Sequence, residues 1–450
     1  MDPIVIVGGD AAGMSAASKF KRERPERDVV VFEKGEYVSY AACGMPYYIK
    51  GSVEEFDDLL QVSPKEFIEE RDIDLRLHHE VVGIDTDAYE VTVESPAGTN
   101  TQSYGQLLIA TGARAIEPPF DGMDLDGVHT LHSLDSAKTV HDAMETESPE
   151  SVAVVGGGYV GIEMAEAFDE HDVDVHLFEM LPHVLAPFGE TVGEKVETHL
   201  RDEGVSLHLE TAVDGFVGDD SGHVSGLVAG DTTYDVDLVL VGVGVAPNAE
   251  LAGEAGIELG ETGAIATDEF GRTSAPGVFA AGDCAEARNV VTGDPDYVPL
   301  ALTANRAGRA IGQTMAGDET PVGDIAGTAA VKAFDLEVAR TGIIDEEEAR
   351  EAGFDPVSVT ISAPSRAHYY PGAQKLHITM LGDTETNRVL GASIVGREGV
   401  AKRIDTVAAA LHTETTVQEL SYFDLSYAPP FSPTWDPVLT TAKVLAGKLD

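Results

Sequence analysis

IVIVGGDAAGMSAASKFKRERPERDVVVFE, residues 4–33, compresses a strand, a glycine turn, a helix and a second strand into one short run. Ile4 to Val7 is apolar throughout, Gly8, Gly9 and Gly13 make the turn, and the spacing predicts a helix from Met14 to Arg24, stopped by Pro25. A second strand, Val29 to Phe32, ends at Glu33, an acid about 20 positions past the glycines, where a βαβ dinucleotide unit binds a ribose. Asp10 replaces the middle glycine of the G-x-G-x-x-G pattern, so this copy is read from its context. A complete copy follows, with the strand Val152 to Val155, the turn Gly156-Gly157-Gly158-Tyr159-Val160-Gly161, an expected helix from Ile162 to Glu170, and a strand from Val173 to Phe178 ending at Glu179. Each turn presents backbone N–H groups and a helix N-terminus to a pyrophosphate. Two bound dinucleotides are expected.

Other segments extend this frame. LLIATGAR (107–114) and VLVGVGVAPN (239–248) are apolar strands running into small-residue turns, each a similar interval beyond its glycine motif. SAPGVFAAGD (274–283) gives a turn, a buried strand and an acid, Asp283, at the strand end where ligands of open α/β sheets bind. Asp283 could also cap a following helix. Beyond about residue 325 the character changes, with strands from Gln374 to Leu381 and Val389 to Val395 and an alanine-rich helix around Asp405 to Leu411. The fold expected is α/β, with two Rossmann-like domains and a C-terminal α+β domain.

Between the two glycine motifs lies SYAACGMPYYIKG (39–51), with a solitary cysteine, Cys43. The only other cysteine, Cys284, is distant, and the position five after Cys43 is Tyr48. A free cysteine is usually a small buried apolar residue. Flanked by two dinucleotide motifs, it reads instead as an electron relay whose partner sulfur comes from outside the chain.

Composition sets limits. A chain of 450 residues holds two or three domains, and three is the reading here. Asp and Glu total 79 against 29 Lys and Arg, a formal charge of −50, which opposes binding to nucleic acid or an anionic membrane. The acids are spread along the chain, as on a folded protein from a salt-rich cytoplasm, so a halophilic source is expected. No apolar stretch approaches a membrane span, the start carries no export signal, and two cysteines make no disulfide framework, so the expected location is cytoplasmic. No metal site is expected.

Taken in order, IVIVGGDAAG, SYAACGMPYY, ATGAR, VVGGGYVGIE, GVFAAGD and YAPPFSPTWDP resemble the single-cysteine pyridine nucleotide-disulfide oxidoreductases, a group that includes coenzyme A disulfide reductase, NADH oxidase and NADH peroxidase. The resemblance implies an FAD domain of residues 1–114 and 247–325, an NAD(P)H domain of 115–246 and a dimerisation domain of 326–450. It implies FAD contacts at Gly8, Gly9, Ala11, Ala12, Gly13, Glu33, Lys34, Val81, Thr111, Gly112, Gly282, Asp283 and Ala301. Nicotinamide dinucleotide contacts would fall at Gly156, Gly158, Tyr159, Val160, Gly161, Glu163, Glu179, Gly242 and Gly244. Glu179, accepting ribose hydroxyls and repelling a 2′-phosphate, favours NADH over NADPH.

Oxidases and peroxidases of this kind carry a histidine at or beside Asp10. Its absence implies the coenzyme A disulfide reductase branch, in which Tyr369 (or its neighbour Tyr370) in HYYPG and Tyr427 reach the sulfur site from the partner subunit of a homodimer. The family's asparagine before the cysteine is Ala42 here. Coenzyme A contacts are implied at Ser15, Lys19, Arg22, Ser39, Arg71, Asn305 and Trp435, with Lys19 and Arg22 in a rare basic cluster at the end of the first helix. The expected activity passes hydride from NAD(P)H to FAD and two electrons to a mixed disulfide of Cys43 with coenzyme A. Alternatives are an NADH oxidase working through a Cys43 sulfenic acid, a persulfide or polysulfide reductase, whose relatives often add a C-terminal sulfur-transfer domain, and a redox-responsive binding protein without turnover.

Overall fold

In the computed structural model, which describes residues 2–449, Ile4–Val7 is the middle strand of a five-stranded parallel sheet. The order is Val278–Ala280, Gln106–Ile109, Ile4–Val7, Val29–Glu33 and Asp74–Leu77. Helices cover both faces of such a sheet, so its strands are apolar without alternation, and Ile4, Val5 and Ile6 are fully buried. Gly8 and Gly156, at φ +108° and +109°, turn the chain out of the first strand of each dinucleotide unit. A Cβ on Gly13 would run into the Gly8 carbonyl, and one on Gly161 into that of Gly156, so both glycines allow helix and strand to meet closely.

The second parallel sheet has the order Ser206–His208, Asp174–Phe178, Ser151–Val155, Leu238–Val241 and Val128–Thr130. The chain leaves the first sheet through Ala113–Ala115 and returns through Val245–Pro247, and these two strands pair antiparallel. Asn248 staples the crossing: its Nδ2 donates to the Thr111 and Ala113 carbonyls at 2.9 Å. The third sheet is antiparallel, in the order Ala329–Ala333, Leu336–Gly342, Val389–Gly396, Lys375–Asp383 and Pro356–Pro364. Val400–His412 and Pro437–Leu449 pack on it.

The two fingerprint helices begin earlier than their apolar spacing predicts. They run Ala11–Glu23 and Tyr159–Asp169, because the helical conformation starts directly at the glycine turn, with Asp10 and Gly158 as N-caps. Arg24, at φ −134° and ψ 64°, leaves the first helix just before Pro25. Asp283 caps no helix: the chain runs from it into the short strand Ala287–Arg288. Sequence reading did not delineate the helix Ala301–Met315, which packs on Ala11–Glu23 through Gly308 and Gly312, whose missing side chains admit the backbone of Ala12 and Ala16.

Glu166, buried on the second fingerprint helix, ties that helix to the segment after Cys43 and to the third sheet. Its Oε1 accepts from Lys50 at 2.6 Å and from Lys332, and its Oε2 from the Phe334 N–H at 2.8 Å. None of the described helices is long and apolar enough to cross a membrane.

Candidate functional site

The Cys43 loop is bonded to the first glycine turn. Ser39 N–H donates to the Gly9 carbonyl at 3.1 Å, and Tyr40 N–H donates to Asp10 Oδ1 at 3.1 Å. Cys43 lies in one 3-10 turn, Ala42–Gly44, followed by the short helix Met45–Ile49. That helix docks against the second fingerprint helix: Tyr47 Oη donates to Glu163 at 3.0 Å, Lys50 to Glu166, and the His171 ring meets the Ile49 carbonyl at 2.7 Å. Cys43 is thereby held where the two dinucleotide units face each other.

The residue is solvent-accessible, yet it sits low enough in the cleft that lost hydration raises the thiol pKa, and the negative charges of Glu163 and Asp283 raise it further. The same cleft raises its carboxyls. Asp10 is pushed up to about 6 by burial, against the pull of the Tyr40 N–H. Asp283 is pushed up to about 6 by burial alone, and Glu163 to about 7 by burial against the hydrogen bond from Tyr47. Burial also raises the Tyr40 and Tyr47 hydroxyls.

Glu33 and Glu179 make the same clamp at the two strand ends. Glu33 accepts from the Gly9 N–H at 2.8 Å and the Gly35 N–H at 2.7 Å, while Glu179 accepts from the Gly157 N–H at 2.7 Å and the Leu181 N–H at 2.8 Å. A Cβ on Gly158 would meet nothing within 4 Å, which leaves the second turn open to a phosphate. Tyr159, Val160, Gly161 and Glu163 lie on the helix that starts there, and Gly242 and Gly244 follow the strand Leu238–Val241.

Around the first turn the structure gathers Gly8, Gly9, Ala11, Ala12 and Gly13, with Gly282 against Ala12 and Ala304, and Ala301 opening the next helix. Thr111 and Gly112 follow the strand Gln106–Ile109, Val81 is buried in the strand Glu80–Asp85, and Lys34 is exposed just beyond Glu33. Asp283 accepts no hydrogen bond from any described side chain or N–H, so a desolvated carboxylate is left to receive hydroxyls from a ligand. Glycine turns opening onto helix N-termini, an acid at each strand end and this unpaired carboxylate are a donor and acceptor set that fits FAD at the first unit and a nicotinamide dinucleotide at the second.

Beside the Cys43 loop opens a cavity of about 460 Å³ whose lining includes Asp10, Ser15, Arg22, Ser39, Tyr40, Arg71, Asn305, Arg306 and Arg309. Of the basic cluster on the first helix, only Arg22 faces it. Lys19 is placed otherwise than expected: its ammonium is 2.5 Å from Glu23, an i,i+4 pair at the helix end. Lys21 is tied to Asp72 and to the Pro25 and Arg27 carbonyls, and Arg24 to the Ala316 carbonyl. Arg71, stacked on Phe67 and bonded to Ser18 and Glu66, keeps a fixed place in the wall. Sequence reading missed Arg306 and Arg309. Their three-residue spacing beside Asn305 in ANRAGRA was the available signal.

Tyr369, Tyr427 and Trp435 lie on the third domain, and no described bond joins them to the Cys43 loop. Tyr369, not Tyr370, pairs with Tyr427, Oη to Oη at 2.9 Å. That hydrogen bond lowers the Tyr427 pKa and raises that of Tyr369. Like Tyr422 and Phe431 on the same domain they are exposed, and Lys443 sits over the Trp435 ring at 5.1 Å.

Residues 2–308 match the model of the pyridine nucleotide-disulphide oxidoreductases, and residues 328–437 that of the family's dimerisation domain. The chain is 41% identical to the NAD(P)H coenzyme A polysulfide/persulfide reductase of Pyrococcus horikoshii over 98% of each chain. It is 31% identical to a coenzyme A disulfide reductase of Staphylococcus aureus, over 96% of this chain and 97% of that one. Its structure superposes on an NAD-dependent persulfide reductase from A. fulgidus with a TM-score of 0.96 and 38% identity, covering 99% of this chain and 83% of that one.

Proposed function

The chain belongs to the pyridine nucleotide-disulphide oxidoreductase family, an FAD-dependent enzyme class that uses NAD(P)H, and we propose that it reduces a sulfur–sulfur bond carried by coenzyme A. The observation that carries this reading is the arginine-lined cavity opening beside the loop of a solitary, accessible cysteine. In a protein of charge −50, Arg22, Arg71, Arg306 and Arg309 concentrate positive charge where a phosphorylated nucleotide would lie.

In this reading Cys43, as thiolate, attacks the sulfur bearing coenzyme A; the sulfur–sulfur bond breaks and one thiolate leaves. Two electrons and protons then return the mixed disulfide to Cys43 thiol and coenzyme A thiol. Bound flavin supplies the two-electron chemistry linking reduced nicotinamide to this sulfur pair. Tyr427, acidified by Tyr369, gives its proton to the departing sulfur of the partner subunit's site, so the working form is a homodimer. Glu179 sets the preference for NADH.

Coenzyme A disulfide is the first acceptor. A coenzyme A persulfide or polysulfide is a second reading, favoured by the P. horikoshii relative: it is matched over 98% of its own length, so a persulfide reductase by name needs no appended sulfur-transfer domain. The acidic surface suits a salt-rich cytoplasm. An anaerobic NADH titration followed by coenzyme A disulfide, coenzyme A persulfide, glutathione disulfide or oxygen tests the whole reading. A coenzyme A acceptor should reoxidise the flavin fastest, and only while Cys43 is present. Reoxidation by oxygen alone, or wild-type turnover in Cys43→Ser, overturns it.

A further inference from the structure

Away from the cleft, where the nicotinamide domain meets the third sheet, three metal-ligating side chains converge. His199 lies in the last turn of the helix Glu190–Asp202, Glu203 caps that helix, and Asp335 sits in the tight turn between the strands Ala329–Ala333 and Leu336–Gly342. Their ligand atoms all lie within 4.8 Å of one another. His199 is 5% exposed, and its Nε2 is buried without a hydrogen-bond partner. That nitrogen lies 2.8 Å from Asp335 Oδ1 and 3.5 Å from Glu203 Oε1, yet neither contact has hydrogen-bond geometry. A buried ring nitrogen that reaches two carboxylates and bonds to neither is expensive, unless something between them uses its lone pair.

We propose that His199, Glu203 and Asp335 bind one divalent ion of the zinc type, which clips the end of the Glu190–Asp202 helix to the third domain. One imidazole and two carboxylates suit Zn²⁺, with water completing the shell on the exposed side of Glu203 and Asp335. The charges in contact with the site are the two ligand carboxylates and Arg397, which pairs with Asp335 through Oδ2 and leaves Oδ1 to the ion. The site adjoins the Glu166 junction: Phe334, whose N–H bonds Glu166, precedes Asp335, and its ring meets His199 edge-on at 6.0 Å.

The test loads chelator-treated, FAD-replete enzyme with Zn²⁺, and separately with Co²⁺, whose absorption beyond the flavin band reports tetrahedral or five-fold coordination. Cys43 is the competing ligand, so each titration is repeated in Cys43→Ser. The expected result is one ion per chain in both proteins, a raised melting temperature, and affinity weakened at least about tenfold by His199→Ala and by Glu203→Gln. The proposal is overturned if the wild-type enzyme retains no stoichiometric ion and shows no Co²⁺ band, a result that needs no variant to fold. It is equally overturned if binding vanishes in Cys43→Ser or survives unchanged in a folded His199→Ala.

Discussion

Tyr47 donates its phenolic hydrogen to Glu163 at 3.0 Å, joining the Cys43 loop to the helix of the second glycine turn. The bond holds a carboxyl with a pKa near 7 where its charge opposes the Cys43 thiolate. Glu163→Gln keeps an acceptor for Tyr47 and removes the charge. Cys43 alkylation at pH 7.5 should then speed up several-fold, and its pH profile should steepen, because in the wild type the thiolate is suppressed further as Glu163 ionises between about pH 6 and 8. An unchanged profile would place the controlling charge elsewhere.

Asp283 is desolvated with nothing to offset it, and its pKa rises from 3.8 to about 6. A raised carboxyl contributes stability that is present below pH 3.8 and is lost as the pH climbs through 6. Asp283→Asn should therefore stabilise the flavin-free protein at pH 7.5 by about 1–3 kcal/mol and flatten the decline of its melting temperature between pH 4 and 6. The same variant should retain FAD less tightly, since it trades a charged acceptor for a neutral amide. Thermal melts with and without FAD, across that pH range, read both effects.

The parallel sheets were legible because each strand is buried on both faces: Ile4–Val7 and Ser151–Val155 are apolar runs ending in glycine turns, and local sequence carries that signal. Helix starts were less so, since Ala11, Ala12 and Tyr159 carry no apolar period, and the turn geometry alone begins the helix there. Side-chain partnerships across the chain were not legible at all. Lys19 and Arg22 share a stretch of helix, but Glu23 takes Lys19 and leaves Arg22 to the cavity, while Arg309 reaches that cavity only because Gly308 and Gly312 let two helices touch. His199 and Glu203 stand four apart and their third partner, Asp335, comes from another domain, so no ligand spacing announces them.

Arg22 and Arg309 come to one cavity from two helices, and neither makes a described salt bridge within the chain. Each is therefore free for a phosphate, and a charge-assisted hydrogen bond is worth about 1.5–3 kcal/mol. Arg22→Ala or Arg309→Ala should raise KM for coenzyme A disulfide roughly 10- to 100-fold, leaving kcat with a small phosphate-free disulfide nearly unchanged. Steady-state kinetics with both acceptors separates a lost contact from a damaged thiol.

Glu166 is the opposite case, a buried charge whose bonds all lie inside the protein. Glu166→Ala leaves Lys50 only the more distant Glu170, at 3.7 Å, and leaves the Phe334 N–H without its acceptor, a loss of about 3 kcal/mol. Glu166→Gln, which keeps one acceptor oxygen, should lose less. Denaturant unfolding followed by flavin fluorescence reads the difference. Because the junction touches the Cys43 loop through Lys50, turnover in the alanine variant should fall more steeply with temperature than in the wild type.

The buried pairs at Glu166 and the solvated acids respond to salt differently, which gives the surface its own test. Most of the 79 acidic side chains face water against only 29 bases, and their mutual repulsion opposes the compact state. Molar salt shortens the screening length to about 3 Å, which removes that repulsion while leaving buried pairs nearly intact. The melting temperature should therefore climb steadily from dilute buffer to 2 M KCl (about ten to twenty times physiological ionic strength), and the rise should persist in Glu166→Gln. A protein as stable in dilute buffer as in molar KCl would show that its acids are spaced widely enough to need no screening, and the assignment to a salt-rich cytoplasm would fail with it.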